Sequence, residues 1–205
     1  IKELIKKSAT DYDYFKKLLY FMSTARYSAK DDFDFKSEKE YKEYLKTNRP
    51  TTLKGEIVKS YGELEIANYL FTNNIEYIYE KEYEVDVMDD DHQQYKPDFY
   101  LPQYKIYIEY FGIDEKNEVA PFFKGKNGKT ASETYNDSIK WKRKIHKKNN
   151  TTMIETFYYE NKQGYLISNL DKKLQYYNVL KKTMTNEEIW NIINTTAFPH
   201  PIHVH

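Results

Sequence analysis

The chain has 205 residues, with 32 basic side chains balanced by 32 acidic ones and no cysteine. The absence of cysteine excludes disulfides, thiol nucleophiles and zinc sites built on cysteine. The neutral overall charge argues against an unselective polyanion-binding surface, although it leaves room for a local basic patch. No apolar run reaches the length of about 18 residues that a transmembrane helix needs, so we expect no membrane partner. Because the chain begins at Ile1 rather than Met, we expect it to be a piece of a longer protein.

The predicted elements alternate between helices and strands in the middle of the chain. Periodicity and turn residues predict helices within 1–50, 55–74, 132–148 and 166–194, strands at 75–87, 95–101, 106–112 and 151–158, and a loop over 113–133. This order predicts an α/β fold, with a sheet layer and helical ends. We divide the chain into a helical extension (1–53), an α/β core (54–160) and a helical C-terminal extension (161–205).

The most informative polar residues are Asp98 and Glu109. In a hairpin that turns at 102–105, the numbers of two facing residues always add up to the same sum. Residues 101 and 106 face each other, so Asp98 faces Glu109 and the two side chains lie on one face of the sheet. Two facing carboxylates repel each other. Glu109 also lies in an otherwise apolar strand, where burying a bare carboxylate costs several kcal/mol in typical cases. A divalent cation such as Mg²⁺ would offset this cost, and Glu63 on the preceding helix would add a third carboxylate.

The same spacing fits a second interpretation. Glu109 would then face solvent on an edge strand, and Asp98 would lie in a turn. From spacing alone, both interpretations stay open.

Several short motifs occur in an order that carries a resemblance. They are Lys59-Ser-Tyr-Gly-Glu63, Tyr95-Lys-Pro-Asp-Phe99, Ile108-Glu-Tyr-Phe-Gly112, Trp141-Lys-Arg-Lys-Ile-His146 and Thr151-Thr-Met-Ile-Glu-Thr156. In this order they resemble the PD-(D/E)xK restriction-endonuclease-like superfamily, and in particular the nuclease-like domain of some bacterial helicase IV (UvrD-like, superfamily 1) DNA helicases. The resemblance covers residues 54–160, about half the chain.

The resemblance implies a central mixed β-sheet flanked by helices and a Mg²⁺- or Mn²⁺-dependent deoxyribonuclease that hydrolyses phosphodiester bonds. It implies that Glu63, Asp98 and Glu109 are catalytic and hold the metal. It also implies DNA as a partner, the helicase motor domains of the same parent chain as neighbours, and a role in DNA repair or processing in the bacterial cytoplasm, at the nucleoid.

One position departs from the pattern of the superfamily. Phe111 lies two residues after Glu109, where the superfamily usually has a catalytic lysine. We expect Lys142, on the following helix, to take that role. The surrounding basic residues are expected to contact DNA phosphate: Lys129, Lys140, Arg143, Lys144 and Lys147. The alternative is a catalytically inactive nuclease fold that binds DNA or docks a protein, with these cations forming an ordinary solvated face.

Overall fold

A computed structural model describes residues 11–14, 30–89, 92–185 and 187–188. The chain divides into two compact units, one formed by residues 1–29, 48–75 and 180–205 and the other by residues 30–47 and 76–179. Most of the helices predicted before residue 30 and after residue 185 therefore lie outside the described residues.

The larger unit is built on a four-stranded mixed sheet. Its strands are β1 (Ile78–Tyr79), β2 (Phe99–Leu101), β3 (Ile106–Phe111) and β4 (Thr152–Phe157), which lie side by side in that order. The first three are antiparallel, whereas β4 is parallel to β3. A parallel neighbour requires a long crossover connection, and residues 112–151 supply it. The α/β class predicted from the sequence is confirmed.

The hairpin between β2 and β3 has the predicted register. Phe99 lies opposite Ile108 and Leu101 lies opposite Ile106, which is the constant index sum expected for a turn at 102–105. The turn closes through the Tyr104 N–H, which donates to the Leu101 carbonyl, and Lys105 adopts a positive φ of 54°.

The strand predicted over 75–87 is only partly formed. It ends after Tyr79, because Glu80 has a positive φ of 49° that a strand cannot continue through. Beyond it, the side chain of Gln94 replaces a partner strand: its Nε2 donates to the carbonyls of Tyr83 and Val85, and its Oε1 accepts from the Val87 N–H. The segment therefore lies outside the sheet and bends at residues 84–85.

Helices accompany the sheet in the larger unit. They are α1 (Glu38–Thr47), α3 (Ala131–Lys148), α4 (Tyr158–Lys162) and α5 (Leu166–Tyr176), and a short 3₁₀ helix spans Asp32–Asp34. Helix α5 buries Leu166, Leu170 and Leu174 at helical spacing, so one apolar face meets the sheet layer while the other stays polar. The predicted helix over 132–148 corresponds to α3.

The smaller unit contains helix α2 (Tyr61–Thr72), within the predicted helical range 55–74. It begins late because Thr51 and Ile57 form an isolated antiparallel bridge, and Ser60 then acts as the N-cap by accepting from the Glu63 N–H. The Asn68 side chain accepts from the Leu53 N–H at 2.8 Å, which fastens the preceding loop to the helix. Among the helices of the described residues, none has the length and apolar character needed to cross a membrane.

Helix α3 begins with a capping box whose removal should be measurable. The Thr130 hydroxyl accepts from the Glu133 N–H, and the Glu133 carboxylate accepts from the Thr130 N–H. Thr130→Ala should therefore lower the free energy of unfolding by about 1 kcal/mol in urea denaturation. Ser138→Ala, inside the same helix, is the control and should be neutral or slightly stabilising because Ala is the better helix former. Equal effects of the two substitutions would contradict the assigned cap.

Candidate active site around Glu109

Glu109 is buried on the face of β3 that also carries Tyr107 and Phe111. Only 1% of Glu109 is exposed. Tyr107 belongs to one apolar cluster, with Tyr83, Tyr95, Tyr100 and Ile145. Phe111 belongs to another, with Ile113, Val119 and Ile139. The carboxylate thus lies between two apolar clusters, and the interpretation in which Glu109 faces solvent is wrong.

Helix α3 places Lys142 over this carboxylate. Ile139, Lys142 and Ile145 recur at a spacing of three residues, which puts them on one helix face. The two isoleucines enter the two clusters, and the ammonium of Lys142 between them lies 2.5 Å from Glu109 Oε2. The Lys142 side chain keeps 24% of its surface exposed. The lysine predicted from the sequence to act with Glu109 is therefore in direct contact with it.

The aromatic ring of Phe111 lies beside the same ammonium. Lys142 Nζ is 5.3 Å from the centroid of the Phe111 ring and 5.4 Å from that of Tyr95. Both distances fall within the range of a cation–π contact. Phe111 holds the strand position where the superfamily usually has its lysine, and the ammonium of Lys142 reaches the same place from α3.

Asp98 comes directly before β2, and its charge acts on the same carboxylate. Its Oδ2 accepts from the Tyr110 N–H at 2.7 Å, which holds the side chain against β3. Its negative charge acts on Glu109 and is the second-largest cause of the altered pKa of that residue. The structure thus brings Asp98, Glu109 and Lys142 together, as the sequence predicted.

The environment raises the pKa of Glu109 from an ordinary 4.5 to about 7. Burial is the main cause, because a carboxylate loses its hydration there, and repulsion by Asp98 is the second. The charge of Lys142, its hydrogen bond and the hydrogen bond from Tyr95 all lower the pKa and offset part of this rise. Near neutral pH the site therefore balances between a charged and a neutral carboxyl.

This balance predicts a pH dependence of stability. A carboxyl whose pKa is higher in the folded chain binds more protons folded than unfolded, so its contribution to stability falls as pH rises from about 4.5 through about 7. Glu109→Gln removes this contribution. Between about pH 4.5 and 7, the free energy of unfolding of Glu109→Gln should rise by about 3 kcal/mol relative to that of the wild type. Urea denaturation at several pH values measures this difference. The exposed Glu76→Gln is the control, and parallel pH curves for Glu109→Gln and the wild type would contradict the prediction.

Glu63, the third predicted acid, belongs to the smaller unit. Its carboxylate is buried and is engaged at the start of its own helix, where Oε2 accepts from the Lys59 N–H at 3.1 Å and Oε1 accepts from the Ser60 hydroxyl at 2.9 Å. Within this unit, Glu63 therefore acts as part of the N-terminal cap of α2.

The predicted DNA-binding cations fall into two groups. Lys129 and Lys140 both pair with Asp137, at 2.6 and 3.0 Å. Arg143 forms two hydrogen bonds of 2.6 Å with the Glu155 carboxylate. Lys144 and Lys147 have no acidic partner among the described residues. Of the five predicted cations, Lys144 and Lys147 are therefore the two whose charge is not already paired with a carboxylate of the described residues.

Sequence reasoning missed the polar groups that surround the acids. Tyr95 donates to Glu109 Oε1 at 2.6 Å, and the buried His146 lies behind Tyr95. Tyr135 accepts from the Gly112 N–H at 2.9 Å, just after β3. A Cβ placed on Gly112 would lie 3.6 Å from Tyr135 Oη and 3.8 Å from Asp32 Oδ2, so Asp32 also borders this end of the strand. The one signal in the sequence was the spacing of four residues between Lys142 and His146, which places both side chains on the same face of α3.

The donor set suits a hard divalent cation. Asp98 and Glu109 are carboxylates, the ligands that Mg²⁺ and Mn²⁺ take from proteins, and a cation would relieve the repulsion that raises the pKa of Glu109. Within the described residues, no group of three or more His, Asp or Glu side chains is placed to hold a metal ion. A cation here would therefore complete its coordination with water and phosphate oxygens.

Comparison of the chain with protein-family models, curated proteins and solved structures finds no match in any of the three. The function proposed below therefore rests on the geometry of this site and on the sequence resemblance.

Proposed function

We propose that this chain is a metal-dependent deoxyribonuclease domain with a restriction-endonuclease-like core. The observation that carries the proposal is Glu109, a carboxylate with 1% exposure in an apolar strand, which has the Lys142 ammonium at 2.5 Å and the Asp98 charge beside it. Two acids and a lysine that meet on an interior strand of a mixed sheet are the groups that phosphodiester hydrolysis by this superfamily uses. Strongly perturbed carboxyls in such a setting favour a functional role over a purely structural one.

Asp98 and Glu109 would hold Mg²⁺ or Mn²⁺. When bound, such an ion lowers the pKa of water and offsets negative charge on the phosphate. Lys142 would orient the attacking water through its ammonium, a role that the aromatic side chain of Phe111 cannot take. The water oxygen would bond to phosphorus and give up a proton to solvent, while the bond from phosphorus to the departing sugar oxygen breaks and that oxygen takes a proton from solvent.

Glu63 enters the proposal as a third acid through the resemblance alone. Its carboxylate accepts from the Lys59 N–H and the Ser60 hydroxyl, so a role in metal binding requires an exchange of partners. Glu63→Gln keeps an acceptor for the cap and removes the charge, which separates the two roles. A large loss of cleavage with unchanged stability would support the metal-binding role.

DNA phosphate would first meet the cations that have no acidic partner. Lys144 and Lys147 fit this role, whereas Lys129, Lys140 and Arg143 would exchange a carboxylate for a phosphate. Each phosphate contact steepens the salt dependence of binding. Lys144→Ala and Lys147→Ala should therefore weaken binding to DNA of any sequence and flatten the salt dependence.

The parent protein is proposed from the resemblance to be a bacterial DNA helicase that acts in repair or processing at the nucleoid, in the cytoplasm. The motor domains of the same chain would then be its neighbours and would deliver the strand to be cut.

The test is cleavage of labelled single-stranded, duplex and forked DNA with Mg²⁺, with Mn²⁺ or with EDTA. The wild type is compared with Asp98→Ala and Glu109→Ala, purified by the same procedure. Metal-dependent cutting that both substitutions abolish is the expected result. Absence of cutting, or cutting that survives both substitutions, would contradict the assigned site.

A second candidate function is an inactive nuclease fold that binds DNA or docks a protein. The observation that favours it is the ion pair itself, because Lys142 already satisfies Glu109 Oε2 without a metal. This function requires tight, salt-sensitive DNA binding that is independent of Mn²⁺, with no cutting in the same samples.

A further inference from the structure

A continuous line of hydrogen bonds ends on Glu109. Tyr95 Oη lies 2.6 Å from Glu109 Oε1 and 3.2 Å from His146 Nε2. His146 Nδ1 in turn lies 2.8 Å from Thr151 Oγ1, which is 2.6 Å from Tyr83 Oη. Four side chains therefore stand behind the oxygen of Glu109 that faces away from Lys142.

The direction of each bond follows from the number of protons available. When Glu109 is ionised, it faces the ammonium of Lys142 and accepts at both oxygens, so the one hydroxyl proton of Tyr95 goes to Glu109. Tyr95 Oη must then accept, which requires a proton on His146 Nε2. His146 Nδ1 therefore accepts from the Thr151 hydroxyl, and Thr151 accepts from the Tyr83 hydroxyl. All the bonds run towards Glu109.

A neutral imidazole is consistent with the surroundings of His146. Burial, followed by the positive charge of Lys142, lowers its pKa to about 4. The rings of Tyr83, Tyr95 and Tyr107 pack against the imidazole, with centroids 5.1, 5.6 and 5.2 Å away. The ring is therefore fixed in position as well as in tautomer.

We propose that Tyr95 is a positioning residue that fixes the plane of the Glu109 carboxylate, and that His146 in its neutral Nε2–H tautomer holds Tyr95 in place. The terminal torsion of a glutamate is soft, so the backbone of β3 alone does not fix the direction of the carboxylate oxygens. With Oε1 held by Tyr95, Oε2 is the oxygen directed at Lys142 and at any cation. The inference rests on the proposed function insofar as Glu109 is a metal ligand there.

Packing of the aromatic cluster does not by itself account for the hydrogen bond from Tyr95 to Glu109. Tyr107 lies on the same face of β3 as Glu109 and in the same cluster, and its buried hydroxyl meets the backbone of Glu84 without a hydrogen bond of normal geometry. The cluster therefore accommodates a tyrosine hydroxyl that no described side chain holds. Tyr107→Phe consequently serves as a matched control for Tyr95→Phe, because each removes one buried hydroxyl and keeps the ring.

The first test measures DNA cleavage and, separately, Mn²⁺ binding by calorimetry without DNA. Tyr95→Phe should lower kcat and weaken Mn²⁺ binding, each by roughly 10- to 100-fold, as loss of a hydrogen bond to a metal ligand does, while the KM for DNA changes by less than about threefold. Tyr107→Phe should change neither. Equal behaviour of the two variants in both measurements would overturn the proposal.

The second test determines the tautomer of His146 by nitrogen-15 NMR of the metal-free full chain. A proton on Nε2 with Nδ1 unprotonated is the expected result, and a proton on Nδ1 would overturn the inference. His146→Gln keeps a donor near the Nε2 position, so it should retain more activity than His146→Leu. If the wild type cuts no DNA, the proposed function fails, while the tautomer and the Mn²⁺ affinities of Tyr95→Phe and Tyr107→Phe still decide whether Tyr95 positions Glu109.

Discussion

Lys142→Met should destabilise the chain by about 3 kcal/mol at about pH 8.5, because it leaves the buried Glu109 charge without its cation. The loss should shrink to about 1 kcal/mol at about pH 5.5, since the raised pKa of Glu109 lets the carboxyl take up a proton there. Urea denaturation at the two pH values measures both numbers. The dependence on pH distinguishes a lost charge partner from a simple loss of packing.

Two further variants make this prediction specific. Lys140→Met removes a lysine of the same helix that is 73% exposed and pairs only with Asp137, so it should change the free energy of unfolding by less than about 1 kcal/mol. The double variant Glu109→Gln with Lys142→Met removes both charges and should recover most of the loss at the higher pH. Direct coupling requires Lys142→Met to lower the free energy of unfolding much less in the Glu109→Gln background than in the wild type, and an equal loss in the two backgrounds would contradict it.

Asp98→Asn should lower the rate of the proposed metal-dependent cleavage by about 1000-fold, because loss of one of the two proposed carboxylate ligands removes several kcal/mol of charge stabilisation. The variant is nearly isosteric, and its amide oxygen can still accept from the Tyr110 N–H. Folding stability should therefore stay within about 1 kcal/mol of the wild type. Binding to DNA should be unchanged or tighter, since a negative charge has been removed. Single-turnover cleavage and a filter-binding titration measure the two properties separately.

The matched control for this substitution is Asp86→Asn. Asp86 also accepts from a backbone N–H, that of Met88 at 3.1 Å, but it lies on the exposed segment after β1. Its replacement should leave the cleavage rate within about twofold of the wild type, since surface changes away from a site have small effects. Equal losses in the two variants would show that the effect of Asp98→Asn is not local.

Spacing predicted the pairing of Asp98 with Glu109 as one of two open interpretations, and the resemblance added Lys142. Turn residues at 102–105 set the register of the hairpin, so Asp98 and Glu109 could be paired by counting. Lys142 was selected because Phe111 replaces the usual strand lysine and the next helix is rich in cations. The first inference uses the period of a strand, whereas the second rests on the resemblance to the nuclease superfamily.

The remaining features depend on contacts between residues far apart in the chain. The bond between Tyr95 and His146 joins residues 51 positions apart, and no spacing rule predicts it. The pairing of Arg143 with Glu155 likewise requires knowledge of how α3 lies on β4. The strand predicted at 75–87 is shorter because Glu80 adopts a positive φ, and the Gln94 side chain bonds to the backbone beyond it, which a pattern of alternating residues cannot reveal. Periodicity therefore predicts the elements, while the polar network follows only from their packing.

The most direct test of the proposed activity is the single-turnover rate of DNA cleavage by the wild type with Mg²⁺, measured beside Asp98→Asn and with EDTA. A rate that EDTA removes and that Asp98→Asn lowers by about 1000-fold is the predicted result. A wild type that binds DNA but does not cut it with either Mg²⁺ or Mn²⁺, or a rate that Asp98→Asn leaves unchanged, would contradict the assignment of Asp98, Glu109 and Lys142 as a nuclease site.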